Sequence, residues 1–181
     1  HVVLMDAGRV TAAGPLGEIE ARPDLPLARM PEAAVTLAAE VVGRDAAYDL
    51  TTLAVGGARL LAPGWFGGLG SRARLRIAAS GVALVRDPPQ ASSILNCPPV
   101  RIVEVAPHGP SMVTVVLGLG TEGTGVRILA RITRRSWDAL GLAPGFAEAH
   151  NLLGLMLAAT GDADAATASF REAVTARPAY A

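Results

Sequence analysis

The polar residues with the clearest chemical potential form one run: Ser92, Ser93, Ile94, Leu95 and Asn96. Two hydroxyls, successive backbone N–H groups and an Asn amide can together bind a small oxyanion without a cationic side chain. Ser and Asn also favour turns, so a plain polar turn is the alternative interpretation of the same run. The spacing alone leaves both interpretations open.

A glycine motif further along the chain raises the question of a nucleotide site. Residues 118–123 read Gly-Leu-Gly-Thr-Glu-Gly and fit the pattern GxGxxG. A dinucleotide site needs this pattern to open a helix, so that backbone amides at the helix end meet the pyrophosphate. Residues 126–132 alternate like a strand instead, and the motif is therefore predicted to be a hairpin turn.

A second candidate for anion binding is the alternating series Arg72, Arg74 and Arg76. These side chains could form a basic ridge on one face of a strand. The alternative is a solvated strand face opposite a core face, which we favour because strands with one buried face commonly look like this.

Composition excludes several classes of function. Sixteen basic residues balance sixteen acidic ones, so binding of nucleic acid through bulk charge is not expected. Every basic residue is Arg, which excludes a P-loop lysine and a Schiff-base lysine. Cys97 is the single cysteine and is interpreted as a small, partly buried side chain. The three histidines, His1, His108 and His150, lack metal-ligand spacing, and no metal site is predicted.

Short apolar alternations separated by Gly and Pro predict a mainly β protein with a small OB-like barrel. Residues 82–85 are interpreted as a continuation of the strand at 72–77, and Gly43–Asp45 as a turn. Residues 21–32, with three prolines, read as a linker. The predicted strands cover residues 2–5, 10–13, 33–42, 48–55, 59–62, 72–77, 100–105, 113–119 and 126–132.

Two helical regions are predicted beside the strands. Thr133 can cap a short helix over Ser136–Leu140, which Gly141 ends. From Ala147 onward the sequence is Ala-rich with helical spacing and is broken at Gly161, which predicts a C-terminal α-helical hairpin.

Three groups of residues resemble the C-terminal part of the ATP-binding subunits of molybdate ABC transporters. The first is similar to the end of an ABC ATPase domain, the second to the molybdate-type regulatory domain, and the third to the Mop (TOBE-like) module. The first group is residues 2–10 with 14–16, and the second is residues 74–80 with 82–85, where Gly81 replaces the acidic residue usual in the family. The third is residues 92–96 with 130–136 and 140–142.

The resemblance implies a Mop/TOBE-type β domain that dimerises and holds molybdate or tungstate at subunit interfaces, with residues 92–96 in the oxyanion pocket. It implies a remnant of the ATPase domain and linker at 1–32, the β domain at 33–145, and a helical hairpin at 146–181. The chain contains no ATP site and should not hydrolyse ATP alone. The parent subunit would contact a transmembrane permease, on the cytoplasmic side and peripheral to the inner membrane.

The resemblance also implies two departures near the C-terminus. The Mop module closes with a strand bearing a Lys-Ser or Lys-Ala pair, which should follow Pro144-Gly145 and is expected to be absent here. Instead, residues 147–180 resemble one tetratricopeptide repeat, with Asn151–Gly154 in its first helix. The alternative function is therefore a protein-interaction adaptor in which this hairpin binds a partner protein.

Overall fold

The chain begins with a small antiparallel hairpin followed by one helical turn. The structure is a computed structural model that describes residues 1–144 and the backbone of residues 149–153. The predicted strands at 2–5 and 10–13 and the short helix after Gly14-Pro15 are confirmed. These elements are β1 (Val2–Asp6), β2 (Arg9–Gly14) and α1 (Leu16–Glu20).

The proline-rich linker is packed against the rest of the protein. Pro26–Arg29 form a 3-10 helix, because Pro fits the first turn, where its missing N–H leaves no bond unmade. Ala21 and Ala28 are buried in the main core, while Leu25 packs with Ile19 beneath the N-terminal hairpin. Residues 21–32 therefore fix the N-terminal hairpin to the β region.

A four-stranded antiparallel sheet follows, in the spatial order β5-β4-β3-β6. Its first strand continues to Asp45, so the predicted turn at Gly43–Asp45 is wrong. A bulge at Val42 bends the strand, and the chain turns only after Asp45. The strands are β3 (Ala34–Asp45), β4 (Leu50–Val55), β5 (Ala58–Pro63) and β6 (Arg72–Ala78).

The second sheet has five antiparallel strands in the order β10-β9-β8-β11-β7. Strand β10 also lies beside β7, so the sheet curls towards a closed, OB-like barrel. The interpretation of residues 82–85 as a continuation of β6 is wrong, because a 3-10 turn at Ala79–Gly81 redirects the chain into this sheet. The strands are β7 (Val82–Val85), β8 (Pro99–His108), β9 (Met112–Leu119), β10 (Arg127–Thr133) and β11 (Ala149–Leu153).

One aliphatic core joins the two sheets. Leu53 and Leu60 from the first sheet and Ile102, Leu117 and Leu129 from the second are almost completely inaccessible to solvent. Burial of such side chains is the main favourable term in folding. The prediction of a mainly β, OB-like protein is confirmed.

The second helix, α2 (Arg134–Leu140), follows the capping prediction closely. The Ser136 N–H donates to Thr133 Oγ1 at 3.0 Å, and Gly141 ends the helix with a φ of 57°. Among the helices of residues 1–144, none is long and apolar enough to cross a membrane.

Residues 149–153 correct two predictions about the C-terminal region. They form β11, not the start of a helix, and they follow Pro144-Gly145, where the closing strand was expected to be absent. Strand β11 pairs with β7 through Leu152 and Ala83 and with β8 through Ala149 and Val100. The unpaired N–H and C=O groups of β7 and β8 favour a strand here over the helical propensity of the sequence. Residues 154–181, which include the rest of the predicted hairpin, lie outside the described residues.

Candidate functional site

The run from Ser92 to Asn96 connects β7 to β8 and lies between the two sheets. Ser92 Oγ accepts a hydrogen bond from the Ile94 N–H at 3.1 Å, which makes the start of the run a local serine turn. Ser93 is exposed, and its hydroxyl has no hydrogen-bond partner within the described part of the chain. Leu95 is 63% exposed. Because Ser92 only accepts in that bond, the O–H groups of both Ser92 and Ser93 can still donate to a ligand.

Asn96 makes its side-chain hydrogen bonds to the first sheet. Its side chain is buried, and its Oδ1 accepts from the Leu61 N–H at 2.7 Å while its Nδ2 donates to the Leu61 carbonyl at 2.8 Å. This pair of bonds continues the ladder at the outer edge of β5, since the amide offers the same donor and acceptor as a backbone residue. Each polar atom of Asn96 thus makes one hydrogen bond to β5.

A cleft of about 290 Å³ lies beside this run. Leu95 is the one member of residues 92–96 that lines it, and Arg59 is the one charged residue among its described lining. Cys97 also faces the cleft, and burial raises the pKa of its thiol. The full lining is Gly57, Ala58, Arg59, Leu95, Cys97, Pro98, Pro99 and Gly120.

Arg59 is the residue that sequence reasoning missed. It is exposed on β5, directly after the turn at Gly56-Gly57, and 36 positions before Leu95. Nothing local distinguishes it from the other surface arginines, because its position at the cleft depends on how β5 packs against residues 92–97. The cleft lining contains no acidic side chain, so an anion would meet no opposing charge there.

A larger, open groove runs between α2 and the start of β9. It measures about 710 Å³ and contains Arg134, Arg135 and Asp138 along the first turns of α2. The Arg134 N–H donates to the Ser111 carbonyl at 2.8 Å, which ties α2 to the β8–β9 turn. The mixed charges and wide opening distinguish it from the cleft at Leu95.

The glycine motif and the arginine series have the structural roles that the sequence favoured. Residues 118–123 include the last two residues of β9 and the start of its connection to β10, and a Cβ on Gly118 would overlap the Gly123 carbonyl. Arg72, Arg74 and Arg76 are exposed on β6 opposite buried neighbours. Within residues 1–144, no group of three or more His, Cys, Asp and Glu side chains could hold a metal ion.

Comparison with known proteins places the predicted run at the edge of a known domain. Residues 92–146 match the TOBE domain. The match begins at Ser92 and includes β8, β9, β10 and α2, while β7 and β11, which complete the same sheet, lie outside it. The run at residues 92–96 is therefore the first segment of the stretch that matches the TOBE domain.

Sequence similarity to known proteins extends beyond the residues that match the TOBE domain. The chain is 50% identical over 158 residues to the molybdenum import ATP-binding protein ModC of Rhodopseudomonas palustris strain CGA009, covering 87% of this chain and 42% of that protein. It is 44% identical over 144 residues to ModC of Rhodobacter capsulatus, covering 80% and 40%. The chain thus spans about two fifths of the length of these curated relatives.

A solved structure shares the fold. The cytoplasmic molybdate-binding protein ModG is 21% identical to this chain with a TM-score of 0.56. The alignment covers 66% of this chain and 89% of ModG. This likeness supports the OB-type assignment of the β region.

Proposed function

We propose that this chain is the regulatory, oxyanion-binding portion of the ATP-binding subunit of a molybdate importer. The observation that carries the proposal is the TOBE match at residues 92–146 within a longer similarity to ModC proteins. The ATPase activity, permease partner and cytoplasmic, membrane-peripheral location of such a subunit belong to the whole parent protein. They are part of the proposal for that parent.

Within this chain, we propose that Ser93 and neighbouring backbone N–H groups bind the oxyanion. Ser93 is exposed and its hydroxyl is not used by the described chain, whereas Asn96 is hydrogen-bonded to Leu61. A tetrahedral dianion needs several donors at once, more than this short segment of one chain offers. We therefore propose that a second copy of the chain completes the site, and that tungstate, which has the same shape and charge as molybdate, binds there too.

Isothermal titration calorimetry of the full chain with molybdate, tungstate and sulfate tests this function. Molybdate should give a saturable heat that sulfate does not reproduce. Replacing Ser93 with Ala should weaken molybdate binding by about 1–3 kcal/mol, since a bound oxygen is left without its donor. Because 1.4 kcal/mol is a factor of about ten in Kd, the loss is roughly 5- to 150-fold.

The matched control is Ser80→Ala, which removes an exposed hydroxyl on the 3-10 turn at Ala79–Gly81 and should leave the affinity unchanged. Equal heats for molybdate and sulfate, or no heat for either, would contradict the proposed function. Unchanged affinity in Ser93→Ala would remove Ser93 from the site. Light scattering coupled to size-exclusion chromatography tests the second copy, and a monomer that still binds molybdate would contradict the shared site.

A further inference from the structure

The cleft beside Leu95 contains one positive charge with no partner. Arg59 is the one charged residue among the described lining, and Leu95, on the opposite segment, lies two positions after Ser93. The guanidinium of Arg59 makes no hydrogen bond, ion pair or ring contact with any residue that the structure describes. Its five N–H donors are therefore all available to a ligand.

The acidic residue in the same row of the first sheet does not neutralise Arg59. Arg59 lies opposite Ala54 on β4, and Ala54 lies opposite Glu40 on β3, so two strand spacings separate the two charges. At about 4.8 Å per spacing this is about 10 Å, the distance over which salt screens exposed charges. Glu40 also lies directly opposite Arg72 on β6, one spacing away. The charge of Arg59 thus stays uncompensated.

The other walls of the cleft carry no charge. Pro98 and Pro99 have no N–H, and the Gly120 N–H donates to the Pro99 carbonyl at 2.9 Å. Leu95 adds an apolar side chain. Burial raises the pKa of the Cys97 thiol, so this group is uncharged at neutral pH and does not repel an anion. Walls of low polarity strengthen the attraction between an anion and the single cation beside it.

The cleft has room for a small anion next to Arg59. Its volume of about 290 Å³ is several times the ~30 Å³ that one water molecule occupies. A Cβ built on Gly57 or on Gly120 would meet no atom within 4 Å, so both glycines border open space. An oxyanion can therefore approach the guanidinium without displacing a side chain.

We propose that Arg59 is the charge-selecting residue of the oxyanion site: its guanidinium binds the anion in this cleft and makes the site prefer tetrahedral dianions to monoanions of the same shape. The inference rests on the proposed function, which supplies the ligand, and it adds the cation that Ser93 and its backbone neighbours lack. Arginine suits this role because its planar fork can donate two parallel hydrogen bonds to two oxygens of one anion. Coulomb attraction is proportional to the charge of the ligand, so a dianion gains about twice as much from Arg59 as a monoanion.

Isothermal titration calorimetry of the full chain with molybdate and perrhenate tests the inference. Both anions are tetrahedral and similar in size, but molybdate carries two negative charges and perrhenate carries one. Arg59→Gln loses a contact between charged groups and should weaken molybdate binding about 10- to 150-fold. Half of that free energy applies to perrhenate, whose binding should weaken about 3- to 12-fold. The preference for molybdate over perrhenate should therefore fall about 3- to 12-fold.

Two further variants separate the charge of Arg59 from other effects. Arg74→Gln is the matched control, because it removes an exposed arginine from β6 of the same sheet and changes the net charge equally. It should leave both affinities unchanged. Arg59→Lys keeps the charge and should retain most of the preference for molybdate, although it loses the second parallel hydrogen bond.

Ionic strength gives a second measurement, which a purely structural role of Arg59 would not change. Molybdate binding by the wild type should weaken as sodium chloride is added, because salt screens the attraction to the guanidinium. Arg59→Gln should show a smaller dependence on salt than the wild type or Arg74→Gln. An equal salt dependence in all three proteins would count against Arg59 as the cation of the site.

The outcomes distinguish this inference from the proposed function. If the wild type binds molybdate and Arg59→Gln keeps the wild-type preference over perrhenate, the inference is overturned and the proposed function stands. A wild type that binds perrhenate as tightly as molybdate would overturn it without any variant, so the test does not depend on whether Arg59→Gln folds. If the wild type binds neither anion, the proposed function fails and the inference fails with it.

Discussion

Replacing Gly56 with Ala should destabilise the protein more than the same change at Gly57, although the two glycines share one hairpin turn. Both have positive φ, 50° at Gly56 and 86° at Gly57. A Cβ at Gly56 would lie 2.5 Å from Val126 Cγ2 and 2.9 Å from the Val126 backbone N, whereas a Cβ at Gly57 would have no atom within 4 Å. A difference in stability between the two variants therefore measures the contact between the β4–β5 turn and Val126.

The magnitude separates into two contributions. Placing a side chain at positive φ costs about 1–2 kcal/mol for an L-residue, and this applies to both variants. Overpacking against a neighbour adds about 1–3 kcal/mol, and this applies to Gly56 alone because Val126 would have to move. We expect the free energy of unfolding to fall by about 1–2 kcal/mol in Gly57→Ala and by about 2–5 kcal/mol in Gly56→Ala.

Urea unfolding followed by circular dichroism and by fluorescence of Trp65 and Trp137 measures both changes. One indole lies in the loop after β5 and the other in α2, so their summed emission reports on both sheets of the shared core. In thermal unfolding, each 1 kcal/mol should lower Tm by about 2–4 °C for a chain of this size. Equal losses in the two variants would refute the reasoning, because the turn would then not be packed against Val126.

Two further outcomes follow from local geometry. Thr133→Ala should lower the free energy of unfolding by about 0.5–2 kcal/mol in urea titrations, because the Ser136 N–H loses its hydrogen-bond acceptor. Thr133→Ser keeps a hydroxyl and should retain most of the stability. Equal losses in both variants would contradict the capping role. Cys97 should react with iodoacetamide at pH 7.5 more slowly in the folded chain than in denaturant, because burial raises its thiol pKa and the thiolate is the nucleophile; equal rates in the two states would count against that.

Much of the local structure could be predicted because its causes are local. Alternation of apolar and polar residues predicted the strands, since successive side chains point to opposite faces. The helix after Thr133 followed from a capping residue and a terminal glycine within nine positions. The turn at residues 118–123 followed from glycines and a strand pattern after them.

The failures are at residues whose structure is decided by distant partners. Nothing local to Val82–Val85 says that it leaves β6 and pairs with β11, because the partner strand lies more than sixty positions away. The helical composition of Ala149–Leu153 is real, but its neighbours in the sheet determine the backbone. The hydrogen bonds of Asn96 to Leu61 could likewise not be predicted, because the two residues lie 35 positions apart in sequence.

The proposed anion site has consequences for how charge must be balanced. No lysine exists in the chain, and the described closing strand β11 (Ala149–Leu153) contains no arginine. A dianion held by neutral donors alone would be poorly compensated once it leaves water. Arg59 is the one charged residue among those that line the cleft beside Leu95. It lies on β5, the strand that binds Asn96. Strand β5 would then supply both the hydrogen-bond partner of Asn96 and a positive charge in the cleft that Leu95 lines, so the proposed site would include a strand that precedes the TOBE match at residue 92.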